Sequence, residues 1–317
     1  MSVDTGFKFG SFNYFCNQIA LSMCPLVGPE TGVEPSCYSR NIEIAGTLIF
    51  EPATLVIHLI ALVMTCIMIY HIKSKFTAVG RKEIVMFFYM YLITVVLEFF
   101  VISGIIPTAW PGFKYFVAAH VSMSITTLWC LLLNGFVGFQ WAEDGTPLSL
   151  WSIRLSSLVI FGISYFINIM TYLEKAGFSK LNPTALWIMY FIFGAAFILI
   201  YVVLQIVLVV NTLDDRWPLG DILFGFTFFI VGQIFSYVLS TKICEMAKHY
   251  IDGMFFGTMC SLLAVMMVYK YWDSITKEDL EFSVGGKSNV WEIKDPLLSD
   301  DGLAAIGNEG PYEQRRF

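Results

Sequence analysis

Charge is what this chain has little of. Only 14% of its 317 residues are Asp, Glu, Lys or Arg, where soluble globular domains carry about 25%. The net charge of −6 also has the wrong sign for holding nucleic acid. Histidine is scarcer still. The four present, His58, His71, His120 and His249, show no His-x-x-x-His or His-x-x-Glu-His spacing, so the ligand cluster of a metallohydrolase is missing and no metal or other cofactor is expected. There is no Gly-x-Ser-x-Gly elbow and no phosphate-binding loop, which removes the usual signatures of serine hydrolases and nucleotide enzymes. No glycosylation sequon is usable, because Asn182 is followed by Pro183. A cleavable signal peptide is not expected either: Asn13, Asn17, Gln18, Ser22 and Pro25 interrupt the first thirty residues.

Apolar residues are abundant. They make up 57% of the chain, with a mean hydropathy of +0.69. A hydrocarbon core about 30 Å thick needs roughly 20 mostly apolar helical residues to cross it. Seven stretches qualify, at about 47–70, 84–106, 115–139, 150–173, 185–210, 221–241 and 250–272. Lipid offers backbone groups no water, so each must be a helix. The runs are continuously apolar and lack the short alternating segments of a barrel. The expected fold class is therefore all-α, a polytopic membrane protein built as a seven-transmembrane-helix bundle. Three parts follow: an N-terminal segment over 1–46, the bundle over 47–272, and an acidic tail over 273–317. No transporter-type repeat is visible, and seven spans do not divide into matched halves.

Orientation follows from Lys and Arg. Four of them (Lys73, Lys75, Arg81, Lys82) follow the first span, and twelve in all fall on that face against seven on the other. This predicts a lumenal N-terminus and a cytosolic C-terminus. The tail carries ten acids against five bases, hence −5 of the total −6.

The seven cysteines divide by position. Cys66, Cys130 and Cys260 lie inside spans, where cysteine behaves as a small apolar group. Cys16, Cys24, Cys37 and Cys244 fall on the lumenal side, where four thiols allow two disulfides in three connectivities; free thiols fit the same positions. The expectation is that these four are oxidised and that the N-terminal segment is a folded cap.

Polar groups inside spans are costly. Those present are Glu51, His58, Glu98, His120, Asn134, Asn168, Gln205, Gln233 and Asp252. Glu51 and Asp252 also read as helix-start residues, and the amides as interhelical pegs. Glu98, placed near mid-membrane, is the candidate intramembrane polar site. Seven spans also fit a signalling receptor. However, the third closes on Gly138-Phe139-Gln140-Trp141 without an acid-Arg-aromatic triplet, and the seventh has neither Asn nor Pro. A receptor coupled to a cytosolic partner stays as the alternative, with a metal-dependent lipid hydrolase behind it.

In the tail, Asp279-Leu280-Glu281 fits the Asp-x-Glu pattern that vesicle coat proteins read on cargo leaving the endoplasmic reticulum, so Asp279 and Glu281 are the candidate export signal. Trp272, Ile275, Leu280 and Phe282 are candidate apolar contacts between tail and partner. The competing reading is a solvated amphipathic helix with a flexible acidic end.

Several strings carry a family resemblance: Phe12-Asn13-Tyr14-Phe15-Cys16-Asn17, Tyr38-Ser39-Arg40-Asn41-Ile42-Glu43, Ala78-Val79-Gly80-Arg81-Lys82-Glu83-Ile84, the run from Leu131 to Gln140, Ala142-Glu143-Asp144-Gly145-Thr146-Pro147-Leu148, and the run from Thr212 to Asp221. With them the chain resembles the fungal chitin synthase export chaperones, through about Gly285. The resemblance implies a multi-pass chaperone of the endoplasmic-reticulum membrane, not an enzyme. It implies a chitin synthase catalytic subunit as client, a membrane glycosyltransferase serving the cell wall. A client-specific chaperone would use lipid-facing helix surfaces and small-residue grooves, with Gly135 and Gly138 or Gly194-Ala195-Ala196 as places for close helix approach.

Overall fold

The computed structural model describes residues 7–44, 46–76, 78–139, 145–213 and 216–292, with side chains as far as Thr276 except at 44 and 47. Among them, seven helices are long and apolar enough to cross a membrane. They are α2 (Pro52–Ser74), α3 (Arg81–Ile102), α4 (Phe113–Val137), α5 (Pro147–Leu173), the span Thr184–Thr212, α8 (Trp217–Tyr237) and the apolar part of α10 (Gly253–Glu292). The fifth span is composite: α6 (Thr184–Trp187), a π-helical turn (Ile188–Phe193) and α7 (Gly194–Thr212). Among the described residues, two short α-helices, α1 (Asn13–Gln18) and α9 (Ser240–Met246), and a 3-10 turn at Cys24–Leu26 lie outside the spans.

Local chemistry sets the helix starts. Proline stands in the first turn of α2, α5 and α8, where its missing N–H costs nothing. Thr146 caps α5, its hydroxyl accepting from Ser149 N at 3.3 Å. Two sequence boundaries shift most, and the sixth span lies at Trp217–Tyr237, four residues earlier than 221–241. The first span begins at Pro52, not at 47, because Thr47–Ile49 is a strand (β2) paired antiparallel with Ile42–Ile44 (β1), Ile42 facing Ile49. Gly46, with φ 79°, supplies the turn, and Glu51 breaks the chain in left-handed backbone, φ 48°. At the other end α10 does not stop at Trp272; it runs as one helix into the tail.

Packing uses small residues where helices approach closely. α8 lies along α10 (Gly253–Glu292): a Cβ on Gly232 would come within 2.9 Å of Cys260 Cβ, and one on Gly225 within 3.1 Å of Met267 Cβ. Gly135 likewise admits Tyr201 and Gln205, and Gly138 admits Leu208, so this pair packs α4 on α7 internally. The largest buried cluster joins the N-terminal segment to the bundle, since Phe12, Met23 and Val27 share it with Phe87, Val117 and Leu186. Rings carry this contact: Phe9 on Trp187 with centroids 4.4 Å apart, and Phe15 on Phe191 at 4.5 Å. The segment thus sits on the composite fifth span, at the turn where π-helical backbone widens the helix. Below, this is the capped end; the end where α10 leaves is the tail end.

Candidate functional site

At the capped end three spans bring ionisable groups together. α2 supplies His58, α3 supplies Glu98, and α4 supplies His120. Glu98 Oε2 lies 3.3 Å from His58 Nε2 and 3.9 Å from His120 Nε2. The fully buried His58 ring uses its other nitrogen on the Thr54 carbonyl, at 2.8 Å. This orients Nε2 toward the carboxylate. His120 Nδ1 faces Ser22 Oγ of the N-terminal segment at 3.2 Å, so the cap touches the cluster directly. Glu98 stays partly accessible through a cavity of about 180 Å³, bordered by Leu21, Tyr190, Gln233, Tyr237 and Thr258. Glu98 stands four residues from the end of α3, about 6 Å by helical rise. A carboxylate between two imidazoles keeps its own burial tolerable and can hold or pass a proton. Nothing in sequence spacing announces this convergence, because the three residues are on separate helices.

Beside the cluster, Glu51 and Asp252 precede α2 and α10. Asp252 is the N-cap of α10, its carboxylate accepting from Phe255 N at 3.2 Å. Burial, and next the charge of Asp252, push the Glu51 carboxyl well above its ordinary 4.5. Burial also raises Asp252, against the backbone N–H donors that lower it.

The amides divide. Asn168 donates to Ser122 of α4 at 3.3 Å, and Gln205 donates to the Gly135 carbonyl at 3.3 Å and accepts from Tyr271 at 2.6 Å; both are interhelical. Asn134 bonds within its own helix, to the Cys130 carbonyl at 2.8 Å.

Cys16 is bonded to Cys24, and Cys37 to Cys244. Cys66, Cys130 and Cys260 are free thiols. The closest grouping of metal-ligand types among the described residues is Cys37, Cys244 and His249, within 4.8 Å; with the sulfurs bonded to each other, it offers an ion no thiolate.

At the tail end Trp272 is buried and donates Nε1–H to the Val79 carbonyl at 3.2 Å. Ile275 is partly buried against Val209, Ile222 and Tyr271. Of the proposed tail contacts these two therefore belong to the chain's own packing. Asp279, Leu280, Glu281 and Phe282 follow on the same helix, their side chains outside the described residues. Lys75 pairs with Asp273, and Lys270 with Asp221 at 3.2 Å. Glu83, which the sequence reading passed over, is fully buried and accepts from Gly145 N at 2.7 Å and Ser149 Oγ at 3.1 Å.

Comparison with known proteins settles the family. A family model described as chitin synthase export chaperone matches residues 8–286. The chain belongs to the chitin synthase export chaperone family. Relatives that carry this name are similar over most of their length. One from Aspergillus fumigatus is 52% identical over 96% of this chain and 94% of its own. One from Fusarium oxysporum f. sp. lycopersici is 50% identical over 96% and 93%. One from Cryptococcus neoformans var. neoformans is 52% identical over 94% and 83%. No solved structure matches. The family match spans the elements placed above from α1 as far as residue 286 within α10.

Proposed function

We propose that this chain is a client-specific membrane chaperone that a chitin synthase catalytic subunit needs in order to fold and leave the endoplasmic reticulum. The observation that carries the reading is the family match over residues 8–286 together with relatives of that name at 50–52% identity. Its role is binding, not catalysis. Membership of a chaperone family supports this, and so does the use made of the polar groups. Glu98, Asn168, Gln205 and Asp221 are turned to partners within the bundle, leaving outer faces made for helix packing in lipid.

The N-terminus is lumenal and the tail cytosolic. The Lys and Arg distribution supports this, as does the gathering of both disulfides at the capped end, which suits an oxidising compartment. The client's spans pack on α5, whose outward face presents Trp151, Leu155, Leu158 and Phe166. Arg154 is exposed on the same helix with its guanidinium 5.9 Å over the Trp151 ring. A cation near the start of this helix reaches the polar interface, and an acidic group of the client is its natural partner. The tail is a sorting element: Asp279 and Glu281 present acidic charge to a basic vesicle-coat surface.

Affinity purification of the tagged chain from gently solubilised membranes tests the reading. A polytopic glycosyltransferase as the dominant co-purifying protein is expected. A G protein in its place would favour a receptor and overturn the proposal.

A further inference from the structure

The two disulfides have different surroundings. Cys16 and Cys24 are both buried in the main cluster. Cys244 is buried as well, but its partner Cys37 is only partly so and stands between exposed Ser36 and Tyr38. An imidazole lies against this second bridge. His249 Nδ1 is 3.3 Å from Cys37 Sγ, 3.6 Å from Cys244 Sγ and 3.0 Å from the Tyr38 carbonyl. The carbonyl contact keeps Nδ1 protonated, so the nitrogen that faces both sulfurs is a donor. The ring is held there by backbone. Lys248 and His249 are consecutive non-glycine residues in left-handed conformation, φ 53° and 66°. Two hydrogen bonds fix the turn, His249 N to the Cys244 carbonyl at 2.9 Å and Arg40 N to the His249 carbonyl at 2.7 Å. Non-glycine residues stay in such conformations only where the surroundings enforce them. Here the enforced result is a donor placed on a disulfide.

We propose that Cys37–Cys244 is a thiol-exchange site whose partner is a cysteine thiolate of another protein, with His249 as the positioning residue. Exchange proceeds by attack of a thiolate on one sulfur, and is faster when the departing thiolate is stabilised. The incoming thiol first loses its proton to solvent. Its sulfur then attacks Cys37 Sγ, the sulfur of the less buried of the two residues. The new S–S bond forms as the Cys37–Cys244 bond breaks, and the electron pair stays on Cys244 Sγ, which shares the His249 Nδ1–H with the Tyr38 carbonyl. A second thiolate of the partner attacks the partner's own sulfur in this mixed disulfide and releases Cys37 as a thiolate. The partner dithiol is thereby oxidised by two electrons and the bridge reduced; the reverse sequence rebuilds it. Opening unties residue 37 from α9, across 207 residues of sequence. The inference rests on the bridge and its imidazole and does not depend on which protein is the client.

The test uses the full-length protein in detergent with reduced glutathione as the probe. Timed alkylation and mass spectrometry follow each bridge separately. Cys37–Cys244 is expected to open about tenfold or more ahead of Cys16–Cys24, and His249→Phe to slow it several-fold at the same pH, with Cys16–Cys24 unchanged. His249→Gln, which keeps an N–H donor, should recover most of the rate. If the variants are not monodisperse, the comparison of the two bridges in the unaltered chain decides. Equal opening of both bridges, or a His249→Phe protein that opens as fast as the parent, would overturn the assignment.

Discussion

The carboxylate of Glu83, in the first turn of α3, accepts a 2.7 Å hydrogen bond from the backbone N–H of Gly145, 62 residues away. Ser149 Oγ donates to the same oxygen, and Lys82 Nζ reaches the Gly145 carbonyl at 3.3 Å. Two of the strings that mark the family thus meet through Glu83 and Lys82 on one side and Gly145 on the other, with Ser149 completing the clamp. The clamp fixes the entry of α5 against the start of α3.

Removing the clamp should be felt in stability. Glu83→Ala leaves Gly145 N–H and Ser149 Oγ without their acceptor, a loss on the order of 1–3 kcal/mol. Glu83→Gln keeps an oxygen acceptor and should cost less. Thermal unfolding of the purified proteins in the same detergent measures both; an Ala variant as stable as the parent would show that the clamp is dispensable.

Glu98 and Glu51 should respond oppositely to amidation. Glu98→Gln gives up the ion pair with His58 and His120. About 2 kcal/mol is expected, less than the 3–5 kcal/mol typical of breaking a fully buried pair, because Glu98 borders a cavity. Glu51→Gln replaces a carboxyl that burial and Asp252 already hold toward its neutral form, so it should be neutral or stabilising near pH 7. The sign of the pH dependence follows. The folded state binds this proton more tightly than the unfolded state does. Stability therefore falls as pH rises from the unfolded value near 4.5 through the raised folded value, and the gain is complete below 4.5. Glu51→Gln should flatten that part of a stability-versus-pH curve, and an unchanged slope would refute the coupling.

Trp272→Ala should act on the fold itself. The side chain is buried and bonded to Val79, and truncating a buried Trp costs about 3–5 kcal/mol. A variant that loses thermal stability before the client is added identifies an internal anchor. One that unfolds like the parent yet fails to co-purify the client would return Trp272 to the interface.

Replacing Asp279 and Glu281 together by Ala is expected to leave client binding intact while slowing exit of the pair from the endoplasmic reticulum. Co-purification and export are read separately in the same strain. Collapse of binding itself would place this stretch in the client interface.

Seven apolar runs, each long enough for a bilayer and each obliged to be helical, made the architecture legible in the linear chain, because hydropathy is local and lipid permits no alternative for the backbone. The alternation of loops and the surplus of Lys and Arg on one face likewise needed no coordinates, and the family strings pointed to a chaperone before any contact was known. What tertiary structure decided is what depends on separate helices meeting. Glu98 lies between His58 of α2 and His120 of α4, residues that share no sequence spacing. Cys37 meets Cys244 across 207 positions, beside His249. Trp272 is buried and bonded to Val79, between α2 and α3, and Thr47–Ile49 pairs as a strand because Gly46 turns the chain back on Ile42–Ile44 and left-handed Glu51 separates it from α2. Except for the local β turn, the deciding quantity is a distance between segments far apart in the chain, and such distances follow from how the helices pack.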